Sequence, residues 1–333
     1  MHKPLTTTSD RLEIVELPTA AATHSFADDV RAGLSATTKT LSSKYFYDTL
    51  GSQLFDAITL LPEYYLTRAE TEILREWGWE IVRVLDEPVE FLELGSGSAV
   101  KTRLLIEEAL RVQTSLRYAP IDISTEALRL SSALLVDAYP RLSVRGYTGD
   151  YFTVLASKAL KFEKRALAML MGSNIGNYAP GEARALVALV GAALRPGDGL
   201  LLGTDRKKDR TMLELAYNDP TGVTAAFDRN LLGRVNRELG GTFDLTNFDH
   251  VARYDAKRGC VDSYLQARFA QKVEIAALNM TVSFAAGERI HTESSYKFNA
   301  ADIRALAQET GFAVSKTWTD RRERFDVSLL VRT

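Results

Sequence analysis

Between residues 89 and 203 the sequence alternates short apolar runs with helical patterns, and this alternation restricts the fold more than any other feature. Apolar runs at 89–94, 116–123, 142–147, 166–171 and 200–203 are separated by helical stretches that begin after Lys101, at Thr125 and at Pro180. Strands joined through helices are βαβ units, and their strands lie parallel in one doubly wound sheet. The cluster Arg195-Pro196-Gly197-Asp198-Gly199 marks the last change of period, because Gly and Pro gather where a helix must stop and a strand begin.

The flanks follow other patterns. Residues 26–84 read as helical, with a break at Leu61-Pro62-Glu63 where proline ends one helix and allows the next. After Asp205 the alternation stops: 210–239 read as helical and 263–298 as β-rich. A helix at 301–310 and strands at 313–319 and 325–332 then return to the first pattern and can complete the sheet, so the middle module reads as an insertion. Residues 1–25 are polar and Thr-rich and are expected to form a loose tail unless they dock on the body.

Composition narrows the class of partner. With 41 basic and 43 acidic residues there is no bulk attraction to nucleic acid or an anionic membrane, so a small-molecule partner is expected, and the chain is expected to be a monomer. The longest apolar helical stretch, 185–194, falls well short of the roughly 20 residues that span a bilayer. Asp10, Glu13 and Glu16 interrupt the start, which lacks the apolar region of a secretory signal. Cys260 stands alone, so no intramolecular disulfide or cysteine-rich zinc site can form. The expected location is the cytoplasm, and no metal is expected.

Glu93-Leu94-Gly95-Ser96-Gly97-Ser98 falls where the first strand ends, and Gly95 there allows the sharp turn and close approach that a cofactor needs. Val100 stands where a dinucleotide fingerprint has Gly or Ala, which argues against a nicotinamide cofactor. Asp122 ends the second strand, placed to accept from ribose hydroxyls, although a solvated strand-end Asp is the plain alternative. Asp150 and Tyr151 follow the third strand and face the same crevice, where the carboxylate can accept an adenine amino hydrogen and the ring can stack. Lys101 opens the first helix and can meet a cofactor carboxylate or simply be solvated.

Together these motifs resemble the class I S-adenosylmethionine methyltransferases, and further segments resemble the histidine-specific N-methyltransferases of ergothioneine biosynthesis. The segments are Lys44-Tyr45-Phe46-Tyr47-Asp48, Leu61-Pro62-Glu63-Tyr64-Tyr65, Gly172-Ser173-Asn174-Ile175-Gly176-Asn177, Gly222-Val223-Thr224-Ala225-Ala226-Phe227-Asp228-Arg229-Asn230 and Thr292-Glu293-Ser294-Ser295. The resemblance runs from about residue 29 to 332. It implies an α/β fold: a class I methyltransferase Rossmann-like sheet (68–207 and 297–333) with an inserted α+β substrate-binding domain (23–67 and 208–296), preceded by a tail at 1–22. It also implies S-adenosyl-L-methionine as methyl donor, L-histidine as acceptor and hercynine, its trimethylated betaine, as product. Tyr64, Asn177 and Tyr217 would bind the amino acid's carboxylate, with buried aromatics and a turn residue as the plain alternatives.

Glu293 and Ser295 are two apart on a strand and so share a face, where a carboxylate and a hydroxyl can satisfy both nitrogens of an imidazole. The competing reading is a solvent-facing ladder with His291 and Lys297, in which Glu293 pairs with Lys297. Tyr47 is expected to orient the reacting amine beside the cofactor, with Gly172 and Asn174 as further contacts, and Tyr47 and Phe227 to surround the methylated cation. Two positions depart from the family pattern: Asn174 replaces Thr, and Ser263 falls where a Met is expected in the pocket wall. The smaller serine would leave room for tryptophan or tyrosine, the alternative substrates. A dehydrogenase or a catalytically silent methyltransferase fold are the other readings that the residues allow.

Overall fold

The computed structural model describes residues 10–17 and 25–333. An eight-stranded sheet forms its spine, in the order Leu12–Glu16, Leu142–Thr148, Leu116–Asp122, Val89–Leu94, Arg165–Leu170, Gly199–Asp205, Phe325–Arg332 and Phe312–Thr319. All its pairings are parallel except those of Phe325–Arg332, which runs antiparallel to both neighbours. The alternation read from the sequence therefore does produce a doubly wound sheet, closed by the two strands from the end of the chain. In the stretch expected as a loose tail, Leu12–Glu16 docks as an edge strand beside Leu142–Thr148. The rest of that expected tail lies outside the described residues.

Both faces of the sheet are covered, which is why its strands read as nearly continuous apolar runs. Successive residues point to opposite sides: Phe91 and Leu201 pack with Ile73, Leu74, Leu105 and Ile106 on one face, Leu92 and Leu200 with Leu186, Val190 and Leu306 on the other. The covering helices begin where their caps dictate. Ser124 accepts from the Ala127 N–H (3.2 Å) ahead of Thr125–Ala138, and Asn299 forms a capping box with Asp302 ahead of Ala300–Glu309.

The chain leaves this sheet at Asp205 and returns at Phe298, and the two ends of the excursion are bonded to each other: the Phe298 N–H donates to the Asp205 carbonyl (2.9 Å) and the Lys207 N–H to the Phe298 carbonyl (3.0 Å). Between them lie three strands of a four-stranded sheet (Arg289–Tyr296, Cys260–Ala267, Phe248–Asp255), whose fourth, Lys39–Thr40, comes from the start of the chain and pairs with Arg289–Tyr296, a two-stranded hairpin (Gln271–Ile275, Met280–Phe284) and the helices Arg210–Ala216 and Val223–Leu239. Helix Thr49–Leu60, from the start of the chain, packs on Val223–Leu239. Among the described residues no helix is long and apolar enough to cross a membrane.

At the base of the sheet Asp198 is fully buried, and it accepts from the Ala166 N–H (3.0 Å) and the Arg195 N–H (2.8 Å), tying two neighbouring strands together. Asp198→Ala leaves those donors unsatisfied in an apolar setting. The expected cost is about 3 kcal/mol, read as a lower urea midpoint with an unchanged slope.

Candidate active site

The strand order reverses direction around Val89–Leu94, which opens a crevice at the carboxyl ends of the parallel strands. The glycine loop turns there. Gly95 has φ +77° and Gly97 φ +47°, and Ala99 also takes a positive φ of 53°. A Cβ on Gly95 would stand 2.3 Å from the Tyr151 hydroxyl and 3.3 Å from Asn174 Nδ2, so glycine is required for the loop to pack. The Asp122 carboxylate shapes the same turn by accepting from the Gly97 N–H (2.9 Å) and the Ser124 N–H (2.9 Å). Burial raises its pKa, and these two bonds pull the other way.

The structure gives the other cofactor-side candidates additional duties. Asp150 caps helix Tyr151–Ala156 through the Thr153 N–H (3.0 Å) and hydroxyl (2.5 Å), which engages both of its oxygens. Lys101 is not simply solvated. Its ammonium is paired with Glu70, a fully buried carboxylate that also accepts from the Gly172 N–H at 2.8 and 3.0 Å. Beneath the loop Glu93 is held by the Thr102 hydroxyl (2.7 Å) and the Tyr118 hydroxyl, and burial pushes its carboxyl up to about 7.

A second set of residues forms a pocket against this loop. Tyr47, Tyr64, Gly172, Asn174, Asn177, Tyr217, Phe227, Glu293 and Ser295 all line it, together with Phe55, Ile58, Ser173, Ala216 and Thr224. Five separate stretches of the chain thus converge. Tyr47 lies 5.5 Å from Phe55 and 5.8 Å from Phe227, ring centre to ring centre; Phe55 is 6.1 Å from Tyr64, and Tyr64 is 6.2 Å from Tyr217. These are edge-to-face contacts that make a continuous aromatic wall. Burial, then the nearby Glu293, raises the Tyr47 phenol well above its ordinary pKa, and burial with the neighbouring Tyr217 does the same for Tyr64. Both therefore remain protonated at neutral pH.

Opposite that wall, burial pushes the Glu293 carboxyl up to about 7, and the nearby Lys297 draws it down. The Tyr217 hydroxyl lies 2.8 Å from Ser295 Oγ, and the Lys297 ammonium donates to both, at 2.7 and 2.9 Å. Lys297 is itself fully buried and 3.1 Å from an Asp205 oxygen. The solvent-facing ladder is therefore overturned. An irregularity in register between His291 and Glu293 sends His291 to Ser294 (3.0 Å) and Asp262 (3.5 Å), away from the Glu293–Ser295 pair. Ser263 is buried and directly opposite Glu293 across the strand pair, which puts the two side chains on the same face of the sheet, although Ser263 itself does not line the pocket.

Several contributors have no counterpart in the sequence reading. Glu70 could have been found, because it occupies a position on the apolar face of helix Leu66–Ile81, between Leu66, Ala69, Ile73 and Leu74. Asp205 carries no such signal, and Lys297 is read from the sequence only as a partner of Glu293 in the solvent-facing ladder. The buried His250 places one ring nitrogen 2.6 Å from Asp228 and the other 2.7 Å from the Tyr217 carbonyl. Both partners only accept, so the ring carries both protons and braces Tyr217 from behind. Among the described residues no group of three or more His, Cys, Asp or Glu side chains could hold a metal ion.

Comparison with known proteins places this architecture. The family model described as histidine-specific methyltransferase, SAM-dependent, matches residues 26–332. The chain is 42% identical over 312 residues to the histidine N-alpha-methyltransferase of Mycolicibacterium smegmatis, covering 94% of this chain and 96% of that one. It is 42% identical over 306 residues to the protein of the same name from Mycobacterium tuberculosis, covering 91% and 94%. It is also 28% identical over 281 residues to ergothioneine biosynthesis protein 1 of Schizosaccharomyces pombe, covering 82% of this chain and 36% of that longer one. The chain belongs to the histidine-specific, S-adenosylmethionine-dependent methyltransferase family.

Proposed function

We propose that this enzyme transfers methyl groups from S-adenosylmethionine to the α-amino group of L-histidine, three in succession, to give hercynine, a step of ergothioneine biosynthesis. The observation that carries this reading is the pairing of the Glu293 carboxyl with the Ser295 hydroxyl in an aromatic pocket that adjoins the glycine loop. An imidazole matches a carboxylate and a hydroxyl at its two nitrogens. An indole or phenol would leave the pocket carboxylate poorly matched. Two units cooperate in this reading: 68–207 with 297–333 hold the cofactor, and 23–67 with 208–296 hold the amino acid.

The cradle suits the donor. Gly95 permits close approach, Asp122 has lone pairs left for ribose hydroxyls, Asp150 and Tyr151 face the adenine position, and Lys101 and Tyr47 lie towards the amino-acid end. Bound there, S-adenosylmethionine would supply a methyl group on a sulfonium, open to in-line attack by an amine lone pair, with the neutral thioether of S-adenosylhomocysteine as the leaving group. The chain's own contribution is position. Tyr64, Asn177 and Tyr217 take the carboxylate, Glu293 and Ser295 the ring, and Tyr47, Gly172 and Asn174 surround the amine. No side chain around the amine is a strong base, so the ammonium proton leaves to water before each transfer. The aromatic rings of Tyr47 and Phe227 then accommodate the growing cation.

Three outcomes test the reading. With Glu293 titrating near 7 in the free enzyme, kcat/KM for histidine falls as pH drops through about 7. Glu293→Gln removes that limb, keeps any limb due to the substrate, and lowers kcat/KM roughly 10- to 100-fold; an unchanged profile would remove Glu293 from the site. Tyr47→Phe lowers kcat about tenfold with little change in the histidine KM, measured for each methylation by mass spectrometry. Gly95→Ala forces a Cβ against Tyr151 and weakens S-adenosylmethionine binding by roughly tenfold or more in calorimetry, with the fold retained.

A further inference from the structure

We propose that Lys297 is a positioning residue that turns the Tyr217 and Ser295 hydroxyls into donors, so that the pocket selects substrate whose imidazole is neutral. The inference rests on the histidine reading above.

It follows from counting protons. An ammonium has three N–H donors and no acceptor, and Lys297 has an acceptor for each: Tyr217 Oη at 2.7 Å, Ser295 Oγ at 2.9 Å and Asp205 Oδ2 at 3.1 Å. Asp205 is fixed in turn by the Tyr65 hydroxyl (2.9 Å) and by Lys208, so the lysine is aimed as well as paired. The side chains of Lys297 and Asp205 are both wholly buried, out of contact with bulk solvent. Each hydroxyl oxygen has therefore already accepted one hydrogen bond from the lysine. Without substrate, one of the two hydroxyl protons lies between Tyr217 and Ser295, which are 2.8 Å apart. A carboxylate is a stronger acceptor than an alcohol, so an arriving amino acid draws the Tyr217 proton to itself and leaves Ser295 to donate to the ring.

The ring then meets a donor at Ser295 and an acceptor at Glu293. A neutral imidazole has one N–H and one bare nitrogen and satisfies both. An imidazolium brings two N–H groups, and Ser295 can receive one of them only on its remaining lone pair, with its own proton turned back to Tyr217 and a second cation set beside the lysine. Uncharged rings with a single polar atom satisfy only one side.

Nitrogen-15 NMR of ring-labelled L-histidine bound to the enzyme with S-adenosylhomocysteine reads the outcome directly. The wild-type complex is expected to show one protonated and one unprotonated ring nitrogen. Lys297→Met should mix tautomers or admit the imidazolium and raise the histidine KM roughly tenfold or more, with kcat within about threefold. Asp205 keeps Tyr65 and Lys208 as partners in that variant. Should it fail to fold, Ser295→Ala removes the same donor and must also release the single tautomer. The KM effects of K297M and S295A should be strongly non-additive when combined, because one residue acts through the other. A bound imidazolium in the wild type, additive effects, or a loss confined to kcat overturns this inference and leaves the histidine reading intact. Failure of histidine to bind at all overturns both.

Discussion

The crevice depends on one buried carboxylate. Glu70 reaches from helix Leu66–Ile81 to the Gly172 N–H on one side and to the Lys101 ammonium on the other. Lys101 precedes the helix that follows the glycine loop, and Gly172 follows the strand Arg165–Leu170, so this single side chain sets the separation between the glycine loop and the loop that lines the aromatic pocket. A carboxylate without water is costly unless it is paired and bonded, and here it is both. The packing leaves no slack: a Cβ on Gly203 would come within 2.1 Å of Glu70 Oε1. A lysine that reads from the sequence as either a cofactor contact or a solvated side chain thus anchors the frame of the crevice.

A similar economy joins the inserted module to the sheet. Asp205 ends the last of the consecutive parallel strands and collects Tyr65, Lys208 and Lys297, each from a different stretch of chain. Through Lys297 its charge is relayed to Tyr217 and Ser295, which line the pocket. Burial draws the Lys208 ammonium down to about 8, against the opposing pull of the Asp205 carboxylate with which it pairs. The module is consequently held to the sheet by charges as well as by packing at the points where its substrate-facing groups must be aimed.

How much of this was readable depended on whether a residue's partner was near in sequence or governed by a period. The sheet was legible because each strand's apolar run is local, and the insertion because the period changes after Asp205. The pocket residues could be named but not joined: Tyr47, Asn177, Tyr217 and Glu293 are far apart in the chain, and only the fold brings them to one cavity. Lys297 was misplaced because strict two-residue alternation puts it on a face with His291, whereas the irregular register between His291 and Glu293 breaks that alternation. Leu12–Glu16 was missed as a strand because it is short, partly exposed and flanked by polar residues, and its pairing partner lies more than a hundred residues away. Glu70 was legible in principle, as a charge on an apolar helix face.

The absence of a strong base in the pocket is compatible with the proposed chemistry because of the charge that each transfer leaves behind. A permanently basic group beside the amine would pair with the ammonium product and hold it back from the next deprotonation. The phenols of Tyr47 and Tyr64, raised by burial, stay neutral and offer lone pairs and ring faces instead. Such surfaces accept a cation weakly at every stage and do not depend on how many N–H bonds it still has. The ionisable groups, Glu293 and Lys297, bear on the ring end of the pocket in this reading, where the chemistry does not change between transfers. Separating ionisable groups at the recognition end from neutral aromatic surface at the reacting end lets one site act on amine, methylamine and dimethylamine without being rebuilt.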